Sequence, residues 1–140
     1  MVIHSDPYSV GSARHHFRNY LGIIRGFSEI HLEALPVESA ISSHFVFMIE
    51  RVDQVQKFID RVFSSEEILQ RQEWKKPFWI EIDQEMRSIL KTVEALQLLI
   101  SAEVIQKDLS KIAASAKEIL KFSEDFIDHS FKEFLNESDE

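Results

Sequence analysis

An all-α protein, and within that class a four-helix bundle made of two tandem antiparallel hairpins, is what this sequence predicts, on three observations. Glycine and proline number three each among 140 residues, while Leu, Ile, Glu, Lys, Ala and Gln, which lose little on entering a helix, are plentiful. Apolar residues recur at three- and four-residue steps through four long stretches, the spacing of a helix with one buried face. The second half of the chain also echoes the first. A chain of this length is the size of one domain and can bury a real core.

Residues 1–11, with Pro7 and Gly11 and no periodic pattern, are expected to form an N-terminal arm, and Ser9 or Ser12 offers a hydroxyl cap for the first helix. That helix is predicted from residue 12 to Ala34, with Phe17, Leu21, Ile24, Phe27 and Ile30 as its buried stripe. Leu35-Pro36 should end it, because proline disfavours helical geometry in the residue before it. A second helix is predicted from Glu38 or Ser39 to somewhere between Ile68 and Arg71, carrying Phe45, Met48, Val52, Val55, Phe58, Ile59, Val62 and Phe63. So short a connection makes the two helices antiparallel neighbours, a hairpin over 12–71.

The stretch 72–79, Gln-Glu-Trp-Lys-Lys-Pro-Phe-Trp, is read as the linker between hairpins. Trp74, Phe78 and Trp79 allow a ligand-stacking platform, but bulky side chains that plug one end of a bundle are the plainer reading. A third helix is predicted from about Phe78 to Ile100 and a fourth from Val104 to Leu135, giving a second hairpin over 80–135 and an acidic tail over 136–140.

Displacing the first helix by 69 residues sets Phe17 on Met86, Arg18 on Arg87, Leu21 on Leu90, Ile24 on Val93, Phe27 on Leu96 and Ile30 on Leu99. A displacement of 64 sets Met48 on Ile112, Val55 on Ile119, Phe58 on Phe122, Val62 on Phe126 and Phe63 on Ile127. Apolar matches between amphipathic helices are cheap, so the repeat leans on the string Gln84-Glu-Met-Arg-Ser-Ile-Leu90. Phe17, Leu21, Val52, Phe58, Met86, Leu90, Ile119 and Phe122 are then expected in one shared core. Tethering gives the hairpins an effective concentration on the order of millimolar for each other, which favours a monomer over a homodimer.

The absence of cysteine excludes disulfides and thiolate metal sites. A formal charge of −8 argues against nucleic acid, whose affinity comes from clustered Lys and Arg. No apolar run approaches the length of a membrane span and the N-terminus does not resemble a signal peptide, so a cytoplasmic location is expected. P-loop spacing is absent, and the three glycines are scattered instead of gathered into a phosphate-cradling loop.

The candidate chemistry lies in Ser12-Ala-Arg-His-His-Phe-Arg-Asn-Tyr-Leu-Gly-Ile-Ile-Arg-Gly-Phe-Ser-Glu-Ile30. His15 precedes Phe17 by two residues, about 200° around a helix, so it faces water when the stripe faces a core. An imidazole in water is mostly neutral at cellular pH and is a potential nucleophile. His15-His16-Phe17-Arg18-Asn19-Tyr20-Leu21, followed by Ile24, Gly26-Phe27 and Ser28-Glu29-Ile30, resembles the H-box of the dimerisation and histidine phosphotransfer domain of sensor histidine kinases. The Arg18-Asn19-x-Leu21 anchor sets the phospho-accepting position of that family on His15. The acidic residue that follows the phosphohistidine in the family is here His16, and the helix-bending proline is Tyr20.

The resemblance implies a kinase-like bundle fused into one chain, with Gln84 standing where the second repeat has lost its histidine. It implies phosphoryl exchange between His15 and aspartates of receiver domains, with Mg²⁺ brought by the receiver and no cofactor in this chain. Asn19, one turn on, falls where the family places a side chain that orients water, and His16 is expected to orient His15 or share phosphate hydrogen bonds. Arg14, Arg18 and Arg25 are either a basic patch for the incoming phosphoryl group or solvated helix arginines. A metal site at His15 and His16 is disfavoured, because helical ligand pairs sit four residues apart. His4, His31, His44 and His129 are given no role. The alternatives are a non-catalytic module that binds a receiver or a kinase, and the N-terminal segment of a longer signalling protein.

Overall fold

The computed structural model describes residues 8–35 and 39–138, and within them α1 spans Val10–Ala34, α2 Ala40–Phe63, α3 Glu66–Gln70, α4 Lys75–Leu99 and α5 Glu103–Ser138, with a 3-10 turn at Gln72–Trp74. The arm up to Pro7, His4 within it, the stop at Pro36 and the end of the acidic tail lie outside the described residues. The protein is all-α, and α1, α2, α4 and α5 form a four-helix bundle. α1 packs on α2 and on α5, while α4 packs on α5 and on α2, so the two hairpins sit side by side with α1 and α4 on one diagonal.

Local chemistry sets the helix ends. Ser9 caps α1, its Oγ accepting from the Ser12 amide at 3.2 Å, so the helix opens at Val10 and takes in Gly11 from the expected arm. Ser39 caps α2 by accepting from the amides of Ile41 and Ser42. α2 stops at Phe63, short of the predicted end, because the Ser65 hydroxyl caps a separate short helix through the Ile68 amide. α4 begins at Lys75 rather than Phe78 and holds Pro77 in its first turn, where the missing amide costs nothing.

The core runs the length of the bundle and is richest in aromatic rings at the end where α1 begins. Phe17 meets Phe63 of α2, Phe78 of α4 and Phe122 of α5 at centroid distances of 5.3 to 6.1 Å. Trp74 closes that end against Phe78 and Phe126 and donates its indole N–H to the Leu69 carbonyl at 3.2 Å, while Trp79 stays half-buried outside. The linker is therefore a plug for Trp74 and Phe78.

The expected core needs three corrections. Ile30 is 59% exposed, Phe27 is half-buried, and Ser28 and His31 take the inward positions on α1. Phe58 and Leu90 flank the core instead of filling it, and Ile89 is the fully buried residue beside Leu90. His31 has a structural role: it lies 2.7 Å from Asp108 across the α1–α5 interface at the far end of the bundle.

The repeat carries through to polar pairs. His16 of α1 faces Glu118 of α5, and Glu85, its counterpart on α4, faces Arg51 of α2 at 3.5 Å, so the two interfaces between hairpins hold unlike pairs whose acids both come from the second hairpin. Burial pushes the Glu85 carboxyl above the ordinary range, against the pull of Arg51. The folded chain therefore holds that proton more tightly than the unfolded chain, and Glu85 adds stability at low pH that is lost as pH rises through its raised pKa. In urea titrations of the wild type and Glu85→Gln, the difference in stability should move in favour of the variant between about pH 4 and about pH 7; a difference independent of pH would contradict this assignment.

Candidate functional site

α1 sorts its side chains into three sectors at about 100° per residue. Ala13, Phe17, Leu21, Ile24, Ser28 and His31 face inward. Arg14, Arg18 and Arg25 flank the α2 side, and His16, Tyr20 and Phe27 flank the α5 side. His15 and Asn19 point outward from adjacent turns and are exposed. Among the described residues no hydrogen bond, ion pair or ring contact engages His15. Gly11, Ser12, His15, His16 and Asn19 line one shallow depression of about 370 Å³.

All three glycines of the chain lie on α1, at steps of four, seven and eleven residues from His15, and so on its outward line. A Cβ added at Gly11, Gly22 or Gly26 would meet nothing within 4 Å, so no packing among the described residues requires their small size. The helix is thereby left without side chains on either side of the His15–Asn19 pair, and another molecule can approach its backbone closely there.

His16 does not stand beside His15 in water. Its ring stacks on Phe122 at 3.9 Å and tilts against Tyr20 at 4.8 Å. Its Nε2 is sealed from solvent 3.6 Å from Glu118 Oε1, beyond direct hydrogen-bond length. Burial pulls its pKa down, Glu118 opposes that pull, and the neighbouring His15 adds a little to it.

The arginines do not form an unneutralised basic patch. Asp60 accepts from Arg14 Nε at 3.1 Å, from Arg18 at 3.4 Å and from Gln56 at 3.2 Å. Arg25 pairs with Asp53 and, at 2.8 Å, with Glu29. These contacts clasp α1 to α2. Of these pairs, Arg25–Asp53 has its counterparts on the second hairpin in Glu94 and Lys117, with the charges exchanged, and these two line an open groove of about 620 Å³ between α4 and α5.

The site thus brings His15, His16 and Asn19 to one depression and gives the arginines to the α1–α2 seam. Glu118 and Phe122 are the members that the histidine motif does not announce. Their signal in the sequence was the repeat itself, since hairpins that pack as a pair must set one face of the fourth helix against the first. Among the described residues, no group of three or more His, Asp or Glu is placed to hold a metal ion, and no helix is long and apolar enough to cross a membrane.

The fold and site define a four-helix bundle with one imidazole presented on the outer face of its first helix. The chain matches no protein-family model, no curated protein and no solved structure.

Because nothing inside the molecule uses their small size, Gly22→Ala and Gly26→Ala should each raise stability by about 0.5–1 kcal/mol. Chemical denaturation of the two single variants checks this; a loss of stability in either would mean that the outer face of α1 is packed in the free protein.

Proposed function

We propose that this protein is a phosphorelay histidine phosphotransfer protein, in which His15 exchanges a phosphoryl group with receiver-domain aspartates. The observation that carries the reading is an exposed imidazole with no partner among the described residues, set among glycines on the outer line of α1. Such a nitrogen can attack phosphorus in line, and a smooth helix face lets a receiver bring its aspartyl phosphate that close. Mg²⁺ belongs to the receiver, Asn19 sits one turn from His15 to orient water, and the cytoplasm is the compartment. The chain works as a monomer with one working face, Gln84 standing on the face that has lost its histidine.

A non-catalytic module that binds a receiver or kinase is the second reading. The observation in its favour is that Arg14, Arg18 and Arg25 are all committed to carboxylates, leaving no unpaired arginine beside His15 for a phosphate.

Two donors separate the readings: a phosphorylated receiver, and phosphoramidate, which needs no docking. Acid-labile phosphate should appear on His15 with both and vanish in His15→Gln. Absence of such phosphate with either donor, together with receiver binding that survives the substitution, would establish the second reading. Light scattering at micromolar concentration should give a mass near 16.4 kDa, and a stable mass of twice that would refute the single-chain pair of hairpins.

A further inference from the structure

The groove between α4 and α5 has a low apolar floor and charged walls. Leu90 is half-buried and Val93 buried on the α4 side, and the α5 side is made of Ala113 and Ala114, with Ser110 one turn before. Arg87 and Lys91 on α4 and Lys117 on α5 stand against a single acid, Glu94. On a chain of formal charge −8 this is a local excess of cations.

The two hairpins use such charges differently. On the first, Arg14, Arg18 and Arg25 are neutralised by Asp60, Asp53 and Glu29. On the second, Arg87 donates to Asp83 of its own helix at 3.2 Å, and the side chains of Lys91, Glu94 and Lys117 make no ion pair or hydrogen bond among the described residues. No clasp of charges crosses this groove among the described residues, and its cations are open to a second molecule.

The charges are also ordered along the groove. The Gln106 side chain donates to the Gln97 carbonyl at 3.0 Å, which sets those two residues level across the antiparallel pair. About three turns away from the connection on each helix, Arg87 and Lys117 come opposite one another, with Lys91 a turn nearer. Glu94 and Ser110 lie close to the connection, and Leu98, one turn beyond Glu94, is 90% exposed. The groove is thus cationic at one end and acidic, then apolar, at the other, over about 15 Å of helix rise.

We propose that this groove is a docking site for an acidic amphipathic helix of a partner protein. A helix of about three turns matches its length, and the small side chains of Ser110, Ala113 and Ala114 let one settle between α4 and α5. Apolar residues at i, i+4 and i+7 of the visitor rest on Leu90, Val93 and the alanines. Carboxylates on the two edges of that stripe reach Lys91 on one wall and Lys117 on the other. Glu94 repels a carboxylate, so the acidic end of the visitor lies toward Arg87 and Lys117 and its apolar end toward Leu98. The site is on the hairpin that lacks an imidazole and stands independently of the phosphotransfer reading.

The probe is a fluorescent synthetic helix of about fourteen residues, with leucines at i, i+4 and i+7 and glutamates on both edges of that stripe. A lysine-for-glutamate version and a version with the stripe scrambled are the controls. Fluorescence anisotropy with the full chain should show saturable binding of the acidic helix alone. Lys91→Glu combined with Lys117→Glu should weaken that binding by at least about tenfold and turn the preference to the lysine version. Ala114→Leu, at an exposed position, should weaken it with the charges intact. Absence of saturable binding, equal binding of the scrambled helix, or a preference for the acidic helix that survives the double charge reversal overturns the proposal. A stable dimer that the double charge reversal dissociates would give the groove to a second copy, and tighter binding of a single-stranded RNA at the same lysines would give it to nucleic acid; either overturns the proposal. None of these outcomes bears on His15.

Discussion

Four helices meet at Phe17. Its ring is fully buried and touches one aromatic residue from each of the other three bundle helices, Phe63, Phe78 and Phe122. Edge-on and tilted contacts of this kind have preferred distances and angles, so they fix rotation as well as burial. Fixing the rotation of α1 at Phe17 fixes everything around it: His15 is sent to water, His16 against α5 and Arg14 and Arg18 against α2. The outward turn of His15 is thus set by a residue two places along the chain that lies wholly in the core.

That dependence explains why so much was legible in the sequence and where legibility ended. The four long helices, the hairpin order, the apolar inward residues of α2 apart from the misplaced Phe58, and the outward turn of His15 all derive from apolar periodicity. The same periodicity failed at the end of α1, where it chose Phe27 and Ile30 because they are apolar. Helix geometry places Ser28 and His31 inside. Ser28 satisfies its hydroxyl on the Ile24 carbonyl at 2.7 Å, and His31 has Asp108, so each polar group is compatible with burial for a reason that hydropathy does not contain. The early end of α2 has a similar origin, since a serine hydroxyl competing for a backbone amide interrupts a helix whose apolar pattern continues.

The arginines were legible in principle. Arg18 and Arg25 are seven residues apart, as are Asp53 and Asp60, and two antiparallel helices in contact bring such spacings into register as Arg18–Asp60 and Arg25–Asp53. Pairs half open to water contribute little to stability each. Their effect here is on register, because sliding α2 by one turn would leave Asp53 and Asp60 out of reach of their arginines. Glu118 was harder to foresee. Its role depends on which helix of the second hairpin lies against α1, and the repeat proposes that arrangement without identifying the residue.

The unlike interfaces between hairpins have a consequence for how the molecule can be read by others. In a bundle of two identical chains every change is made twice, and the two ends of any diagonal are the same. Here His16 with Glu118 on one side and Glu85 with Arg51 on the other give the bundle a front and a back. The two faces along which the hairpins meet are therefore chemically distinct, and no half-turn of the bundle exchanges one for the other.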